Sequence, residues 1–373
     1  MKQEVSKEDF LSFMEEYAPK RFAQSWDNVG MLIDMGAVSY RRILVALDLS
    51  QPVVDEAISQ KVDLIVTHHP ILFQPIHNMS VFDVEHQLVM SCVQHGISHF
   101  AAHTNLDASP NGINVRLAER LGLKNHQAVI PQKCHVQKLV VFVPQTHAEA
   151  VREAMGNAGA GHMGLYSHCT FAADGVGSFQ PLNGAKPFIG SPGKMEYVRE
   201  VRVESVVKPE QLALILQAVK AVHPYEEMAY DVYDMHIEDR NIGLMRIGQL
   251  PTPLKGEAFC AWVKEKLGIP YVRAAGNMKK PVRRVAVASG SGFQDFDQAR
   301  MQDADAIVSA ELKHHMAVHA AENGLLFVDA GHYETEHIIC QHLIEGLQAR
   351  FNHVQYNTEF CLSAQETVPI QMI

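Results

Sequence analysis

The sequence predicts an α/β fold built from two similar αβ halves and interrupted by an inserted ferredoxin-like α+β domain. Strands and helices alternate regularly from residue 42 to residue 122, and the pattern changes at about residue 128. It resumes near residue 240, where the segments resemble those of the first part. We therefore divide the chain into one domain of residues 1–127 and 240–373 and an insert of residues 128–239.

The first half shows the alternation most clearly. A helix is predicted to begin at Ser6, where "SKED" resembles a capping box, and to end before Pro19. The turn-rich segment "WDNVGMLID" then leads into a short strand. Strands follow at 42–49, 63–67 and 97–102, with helices at 51–61, about 84–95 and about 112–122. This order predicts a mostly parallel sheet covered on both faces, in which ligands gather at the carboxyl ends of the strands.

The insert contains two β-α-β units, one after the other. The first consists of the strand "VQKLVVFVP", the helix "HAEAVREAMGNAG" and a glycine-rich strand region. The second consists of "YVREVRVESVV", "PEQLALILQAVKAV" and "EMAYDVYDM". This order predicts a ferredoxin-like domain of about 100 residues.

The last part of the chain repeats the first. Residues 283–289 ("RRVAVAS") parallel "RRILVALD", residues 304–312 parallel "VDLIVTHHP", and residues 323–336 parallel "HGISHFAAHTNLD". Each half therefore runs strand, helix, strand, polar turn, helix, strand, polar turn. We expect the halves to face one another and to share a site between them.

Composition narrows the classes of function. No apolar run approaches the ~18 residues of a membrane helix, and the charged start "MKQEVSKEDF" predicts no secretory signal. Six cysteines without a CxxC pair predict reduced, mostly buried thiols and a cytoplasmic location. A formal net charge of -10 argues against nucleic acid as the general partner.

Three polar turns follow predicted strands and carry the candidate ligands. They are "THHP" with His68 and His69, "HTNLD" with His103 and Asp107, and "GHYETE" with His332 and Glu336. His332 and Glu336 are four residues apart at the start of a predicted helix, so both side chains point along one face. Imidazoles and carboxylates without thiolates suit zinc, iron or manganese. Five or six such ligands are more than one tetrahedral ion can bind. The number therefore favours two metal ions that share a bridging carboxylate.

Each of these features also has a simpler interpretation. In a chain with 21 histidines, a single HH pair is more often a polar cap on a buried strand than a metal ligand. However, three polar turns follow strands at equivalent positions of the predicted repeat, and together they favour a metal site. In "ELKHHMAVH", Glu311 is expected to border the pocket, whereas His315 and His319 are interpreted as helix-surface residues.

Other motifs are weak or missing. The "SGSG" turn (289–292) fits an anion-binding loop and a tight βα turn equally well. "HPYEE" (223–227) is interpreted as the turn after a helix, or as an interface. The P-loop, dinucleotide-binding and serine hydrolase signatures are absent.

Four segments in order, "WDNVGMLID", "DLIVTHHP", "AAHTNLD" and "DAGHYETE", resemble the NIF-three-like family of metal-binding proteins. Members of that family are often labelled GTP cyclohydrolase 1 type 2 homologues. The resemblance covers about 1–127 and 240–373, and the segment between resembles the PII-like or CutA-like domain inserted in longer bacterial members. It implies a toroidal homohexamer and two metal ions between the halves, with the ligands His68, His69, Asp107, His332 and Glu336. His103 lies near the pocket by the same resemblance.

These observations leave more than one function open. The leading hypothesis is a dinuclear, metal-dependent hydrolase of a nucleotide or nucleotide-like small molecule, with His103 and Glu311 as candidate catalytic residues. The cyclohydrolase label implies attack of water on a guanine ring, but no residue pattern here specifies guanine. The alternative is a non-enzymatic metal-binding regulatory or metal-handling protein whose insert senses a ligand. The net charge disfavours a third hypothesis, a ring threaded by nucleic acid.

Overall fold

The computed structural model describes residues 3–163, 165–351 and 356–371. By its internal contacts the chain forms two compact units. The first is Met1–Gln132 together with Arg240–Ile373, and the second, called the insert below, is Lys133–Asp239. The predicted mixed α/β class is confirmed, since several sheets are interleaved with helices. Within the described part of the chain, no helix combines the length and apolar character needed to cross a membrane.

The segment before the insert follows the predicted alternation. Its elements are β1 (Val5–Ser6), α1 (Lys7–Tyr17), β2 (Gly30–Ile33), β3 (Ser39–Tyr40), β4 (Arg42–Ala46), α2 (Gln51–Gln60), β5 (Leu64–Thr67), α3 (Val84–Gln94), β6 (Ser98–Ala101), α4 (Thr104–Ala108), α5 (Ile113–Arg120) and β7 (Lys124–Ala128). Ser6 caps α1 by accepting the Asp9 N–H (3.0 Å), as the sequence predicted. Pro52 lies in the first turn of α2, where its missing N–H costs nothing.

The insert has a four-stranded sheet covered by two helices. Its elements are β8 (Gln132–Pro144), α6 (Ala148–Asn157), β9 (Thr170–Phe179), β10 (Glu196–Val207), α7 (Leu212–Val222) and β11 (Tyr230–Asp239). The strand order is β11-β8-β10-β9, and β10 is antiparallel to both β8 and β9. Val141, Val203, Val151 and Ile215 belong to one core between the sheet and the helices. This β-α-β-β-α-β order is the ferredoxin-like arrangement.

The segment after the insert again alternates strands and helices. Its elements are β12 (Arg246–Lys255), α8 (Gly256–Leu267), β13 (Arg273–Ala275), β14 (Pro281–Val287), α9 (Phe296–Met301), β15 (Ala306–Ser309), α10 (His314–Glu322), β16 (Leu326–Asp329), α11 (His332–Glu336), α12 (Ile338–Phe351) and β17 (Glu359–Leu362).

The two sheets of the first unit contain the same motif. One sheet has the order β17-β4-β5-β6-β2 and the other β13-β16-β15-β14-β12-β7. In the first, β4, β5 and β6 are parallel and β2 joins β6 antiparallel. In the second, β14, β15 and β16 are parallel and β13 joins β16 antiparallel. Each motif therefore has its parallel carboxyl ends at one edge.

Apolar side chains cover both faces of these parallel strands. Along β4, Ile43 and Val45 join one core cluster, whereas Leu44 and Ala46 join the cluster on the opposite face. Strands β5 and β15 are buried at every position. Because both faces are covered, the ends of the strands are where polar side chains can gather. Cys92, Cys260 and Cys340 are buried free thiols, and the side chain of Cys134 lies outside the described part.

Candidate metal centre

The first half supplies its polar side chains from two neighbouring strand ends. His68 and His69 follow β5 directly, and the backbone N–H groups of both donate to Leu47 O (3.2 and 3.1 Å). His103 follows β6 and is the N-cap residue of α4, which carries Asp107. His68 is buried, with 2% of its surface exposed. The parallel pairing of β5 and β6 thus places the two polar turns side by side.

The second half supplies His332 and Glu336 from the equivalent position after β16. They are the first and last residues of α11. His332 Nε2 and Glu336 Oε2 lie 3.0 Å apart, so the two side chains share one face of this short helix. Glu336 is buried, with 3% of its surface exposed.

The side chains of the two halves meet. The ring nitrogens of His68, His69 and His103 lie within 4.8 Å of one another, and the same is true of the ligand atoms of His69, His332 and Glu336. His69 belongs to both groups, and its Nε2 lies 3.1 Å from Glu336 Oε2.

His68 Nε2 lies within 4.0 Å of both carboxylates of this cluster. It lies 3.9 Å from Glu336 Oε1 and 4.0 Å from Asp107 Oδ1. The structure therefore brings together His68, His69, His103, Asp107, His332 and Glu336, which are the side chains of the three predicted polar turns.

The Nδ1 atom of every histidine in this cluster already has a partner. These pairs are His68 with Ala102 O (2.8 Å), His69 with Asp48 Oδ1 (2.8 Å), His103 with Asp27 Oδ1 (2.9 Å) and His332 with Glu311 Oε1 (2.8 Å). A carbonyl or carboxylate oxygen only accepts, so each ring donates from Nδ1 and presents Nε2 to the cluster. Metal-binding histidines are held by this outer set of acceptors.

Two buried atoms of the cluster have no hydrogen-bond partner among the described residues. They are His68 Nε2 and Glu336 Oε2. Two imidazole nitrogens lie 3.0 and 3.1 Å from Glu336 Oε2, but they do not meet it in hydrogen-bonding geometry. Buried polar atoms are almost always satisfied, and a cation between these nitrogens and oxygens would satisfy both. The set of nitrogen and oxygen donors fits zinc, iron or manganese.

Two imidazoles of the cluster carry a proton that a metal ion would displace. Burial acts to lower the pKa of His69, but the Asp48 and Glu336 carboxylates raise it to about 10. Burial acts in the same direction on His332, but the Glu336 and Glu311 carboxylates raise its pKa to about 9.

The pKa values of His68 and of the two carboxylates are also shifted. Burial lowers the pKa of His68 to about 3, so its ring is neutral. Burial alone would raise the pKa of Glu336, but the neighbouring His332 and His69 imidazoles hold it well below its usual range. Burial and the Glu336 carboxylate raise the pKa of Asp107 to about 7. A metal ion takes neutral imidazole and charged carboxylate, and binding it to Asp107 would release a proton near neutral pH.

Sequence reasoning did not identify Asp27 and Asp48, which orient His103 and His69. Asp48 lies just past the end of β4, so the strand-end pattern that identified the other turns could have found it. Asp27 lies in "WDN", and its carboxylate also accepts the Thr104 N–H (3.0 Å). Glu311 has a left-handed backbone (φ 58°) and contacts His332, so it borders the cluster as expected.

Three of the four backbone N–H groups of the "SGSG" turn donate to protein side chains. Ser289 donates to Asn114 Oδ1 (2.7 Å), Gly290 to Thr335 Oγ1 (3.1 Å) and Gly292 to Ser309 Oγ (2.9 Å). The Ser289 hydroxyl donates to Asp107 Oδ1 (2.8 Å). The turn therefore orients a carboxylate of the cluster.

Fold and site together define an α/β protein whose histidine and glutamate cluster could hold a metal ion. A family model described as Duf34/NIF3 (NGG1p interacting factor 3) matches residues 5–369. The chain belongs to this family, which confirms the resemblance drawn from its four segments.

Relatives match over the whole chain. The chain is 37% identical to a protein of Bacillus subtilis (strain 168), with all of both chains covered. It is 38% identical to a protein of Halalkalibacterium halodurans, over 97% of this chain and 98% of the relative. Both relatives are called GTP cyclohydrolase 1 type 2 homolog. The solved Bacillus cereus protein related to NIF3 superposes with a TM-score of 0.87 at 35% identity, and all of both chains is covered.

Proposed function

We propose that this chain is a metal-dependent hydrolase that uses two metal ions to act on a nucleotide-like small molecule. The observation that carries the proposal is the orientation of four imidazoles. Each is anchored at Nδ1 by an acceptor. The Nε2 atoms of His68, His69 and His332 lie within 3.9 Å of a Glu336 oxygen. The names of the relatives support a hydrolytic reaction on a nucleotide.

Two ions fit the cluster better than one. Two ligand groups overlap at His69, and the two oxygens of Glu336 lie towards different histidines. The residues that would hold the ions are His68, His69, Asp107, His332 and Glu336. When bound, divalent zinc, iron or manganese in such sites supplies Lewis acidity and lowers the pKa of water.

The side chains around the ligands fix the orientation of the imidazoles and the positions of their protons. Burial acts to raise the pKa of Asp27, but the hydrogen bonds from His103 and Thr104 lower it to about 2. The Asp27 carboxylate therefore stays charged and keeps a proton on Nδ1 of His103. His103 Nε2 is then free to accept a proton, which is what a general base beside the metal ligands must do. Glu311 fixes His332 in the same way.

Two exposed aromatic rings beside the cluster support a planar substrate. Trp26 is 56% exposed and Phe73 is 41% exposed. Their ring centroids lie 5.8 Å apart, and each lies within 6.3 Å of the His103 ring. Exposed aromatic faces of this kind stack on bases at about 1–3 kcal/mol each.

The test is elemental analysis of the purified protein, followed by a hydrolysis screen over nucleotides, phosphoesters and cyclic amides with the same metal restored. His69→Ala and Asp107→Ala should lose metal and turnover. His315→Ala, on the exposed side of α10, should keep both. Trp26→Leu should keep the metal and lose turnover.

Two results would contradict the proposal. Less than one metal per chain in the natural protein, unchanged in His68→Ala, would remove the site assignment. Full metal content without turnover of any compound in the screen would favour the alternative, a metal-handling or regulatory protein.

We propose further that the insert is a PII-like or CutA-like domain and that the chain forms a homo-oligomer, a toroidal hexamer. The ferredoxin-like order of β8 to β11 supports the first point. Light scattering coupled to size-exclusion chromatography would give the mass of the assembly, and a monomer at micromolar concentration would contradict the second.

A further inference from the structure

The insert contains a cavity of about 480 Å³ whose lining includes no residue of the histidine and carboxylate cluster. Its lining residues all lie between Phe142 and Ala229, within the second compact unit. The volume falls in the range of about 300–1,000 Å³ that is typical of small-molecule sites. Neither the proposed hydrolase reaction nor the metal ligands use it.

Aromatic rings form the walls of this cavity. The Tyr225 ring lies 5.8 Å from Phe179 and 6.5 Å from Phe188 between centroids, at interplanar angles of 62° and 50°. At these angles the rings surround a space instead of stacking on each other. Phe142, Pro181 and further apolar residues complete the lining.

The polar lining is acidic. Glu200, Glu226 and Glu227 line the cavity, and the described lining includes no lysine or arginine. Lys186 stands between two lining residues, and its backbone N–H donates to Glu226 Oε2 (2.9 Å). Arg199 lines a neighbouring cavity that shares Glu200.

The Glu200 carboxylate is held in place. The Tyr225 hydroxyl donates to its Oε1 (2.7 Å). A Cβ added at Gly177 would lie 2.1 Å from its Oε2, so the glycine makes room for this carboxylate. The fold thus fixes a negative charge against the aromatic wall.

We propose that this cavity binds an organic ammonium cation. Aromatic faces attract a cation through their quadrupoles, and a carboxylate adds a charge-assisted contact. An anion would be repelled by the three glutamates, and a neutral apolar ligand would gain no contact from their charge. The combination therefore selects a ligand with both an apolar surface and a positive charge.

The test compares two probes of the same shape, choline and its neutral analogue 3,3-dimethylbutan-1-ol, by ligand-detected NMR titration of the full-length protein. Choline should bind at least tenfold more tightly than the alcohol. Phe188→Leu and Glu200→Gln should each weaken choline binding by about 3- to 30-fold, as expected for loss of a cation–π or charged contact. His69→Ala should bind choline like the natural protein.

The matched control is Phe171→Leu. Phe171 is an exposed phenylalanine of the same unit (63% exposed) that does not line the cavity. This variant should bind choline normally. Equal affinity for the two probes, no binding of choline, or an equal loss in Phe171→Leu would each overturn the proposal. Circular dichroism should show all variants folded, because Phe188 is itself 53% exposed.

Discussion

At the scale of the residue, Gly290 makes room for two side chains of the candidate metal centre. Its φ is +55°, and an added Cβ would lie 2.3 Å from Glu336 Oε1 and 3.0 Å from His332 Nε2. We expect Gly290→Ala to displace Glu336, to at least halve the metal bound per chain and to lower the free energy of unfolding by about 2 kcal/mol. Gly324→Ala is the control, with φ +66° and nothing within 4 Å. Gly324→Ala should lower the free energy of unfolding by about 1 kcal/mol and keep its metal. Equal metal content in both variants would show that Gly290 does not make room for the cluster.

Asp48 is the second residue on which the cluster depends without being a ligand. Its Oδ1 accepts from Nδ1 of His69 (2.8 Å). We expect Asp48→Ala to weaken metal affinity about 10- to 100-fold, since outer acceptors have effects of this size. Asp48→Asn retains an acceptor oxygen and should lose less. Competition with a chromophoric chelator measures the metal affinity of both variants. Identical affinities in the two variants would show that the hydrogen bond does not orient His69.

At the scale of the element, β6 contains a buried histidine that makes stability depend on pH. The Thr67 hydroxyl donates to His69 O (2.7 Å), so it accepts from Nε2–H of His99 (2.7 Å). His99 Nδ1 has no partner among the described residues, and burial lowers the pKa of His99 to about 3. The folded pKa lies below the unfolded value of about 6.5. The neutral ring therefore stabilises the fold fully above pH 6.5, and this contribution is lost as pH falls towards 3.

Urea unfolding between pH 6.5 and pH 4 measures this effect. His99 should make the free energy of unfolding fall by up to about 1.4 kcal/mol per pH unit, because the unfolded state binds one more proton. In His99→Gln the free energy of unfolding should fall less steeply with decreasing pH, by up to about 1.4 kcal/mol per pH unit. An identical slope in the variant and the natural protein would mean that His99 does not titrate between the two states.

The C-terminal segment after β17 supports the end of β4 beside the cluster. Glu366 accepts from the N–H groups of Leu47 and Asp48 (3.2 Å for Asp48), and its Oε2 lies 3.1 Å from Nε2 of His337. Glu366→Ala leaves two backbone donors without an acceptor, which should cost about 1–3 kcal/mol in thermal unfolding. Glu359→Ala breaks an exposed pair with Arg42 and should cost less than about 1 kcal/mol. A larger loss in Glu359→Ala would reject this role for Glu366.

At the scale of the whole molecule, the sequence predicted the site residues that occupy equivalent positions in the two halves. It missed the residues that have no equivalent in the other half. Because parallel strands end at one edge, the positions of His68 and His103 after neighbouring strands were enough to place them together. His332 follows a strand of the other sheet, so its place beside them depended on the expectation that the two halves face one another. Asp27 pairs with a histidine 76 residues away, and a lone carboxylate in a turn has no periodic signature. Strand β12 was not predicted, and Pro251 and Pro253 within it are residues that central strands rarely contain. It is tolerated because the register shifts between Gln249 and Leu254, where these prolines fall.

The two compact units lead to a last prediction, that the metal centre does not require the insert. Every ligand assigned above lies outside Lys133–Asp239. The flanking chain segments run side by side, since Gln132 N–H donates to Ile242 O (3.0 Å) and Val129 N–H to Met245 O (2.8 Å). A short Gly/Ser linker can therefore replace the insert. The deleted protein should keep its metal affinity within about twofold and lose choline binding, since loop closure of this kind costs little. Loss of metal from a deletion variant that still unfolds cooperatively would show instead that the insert supports the centre.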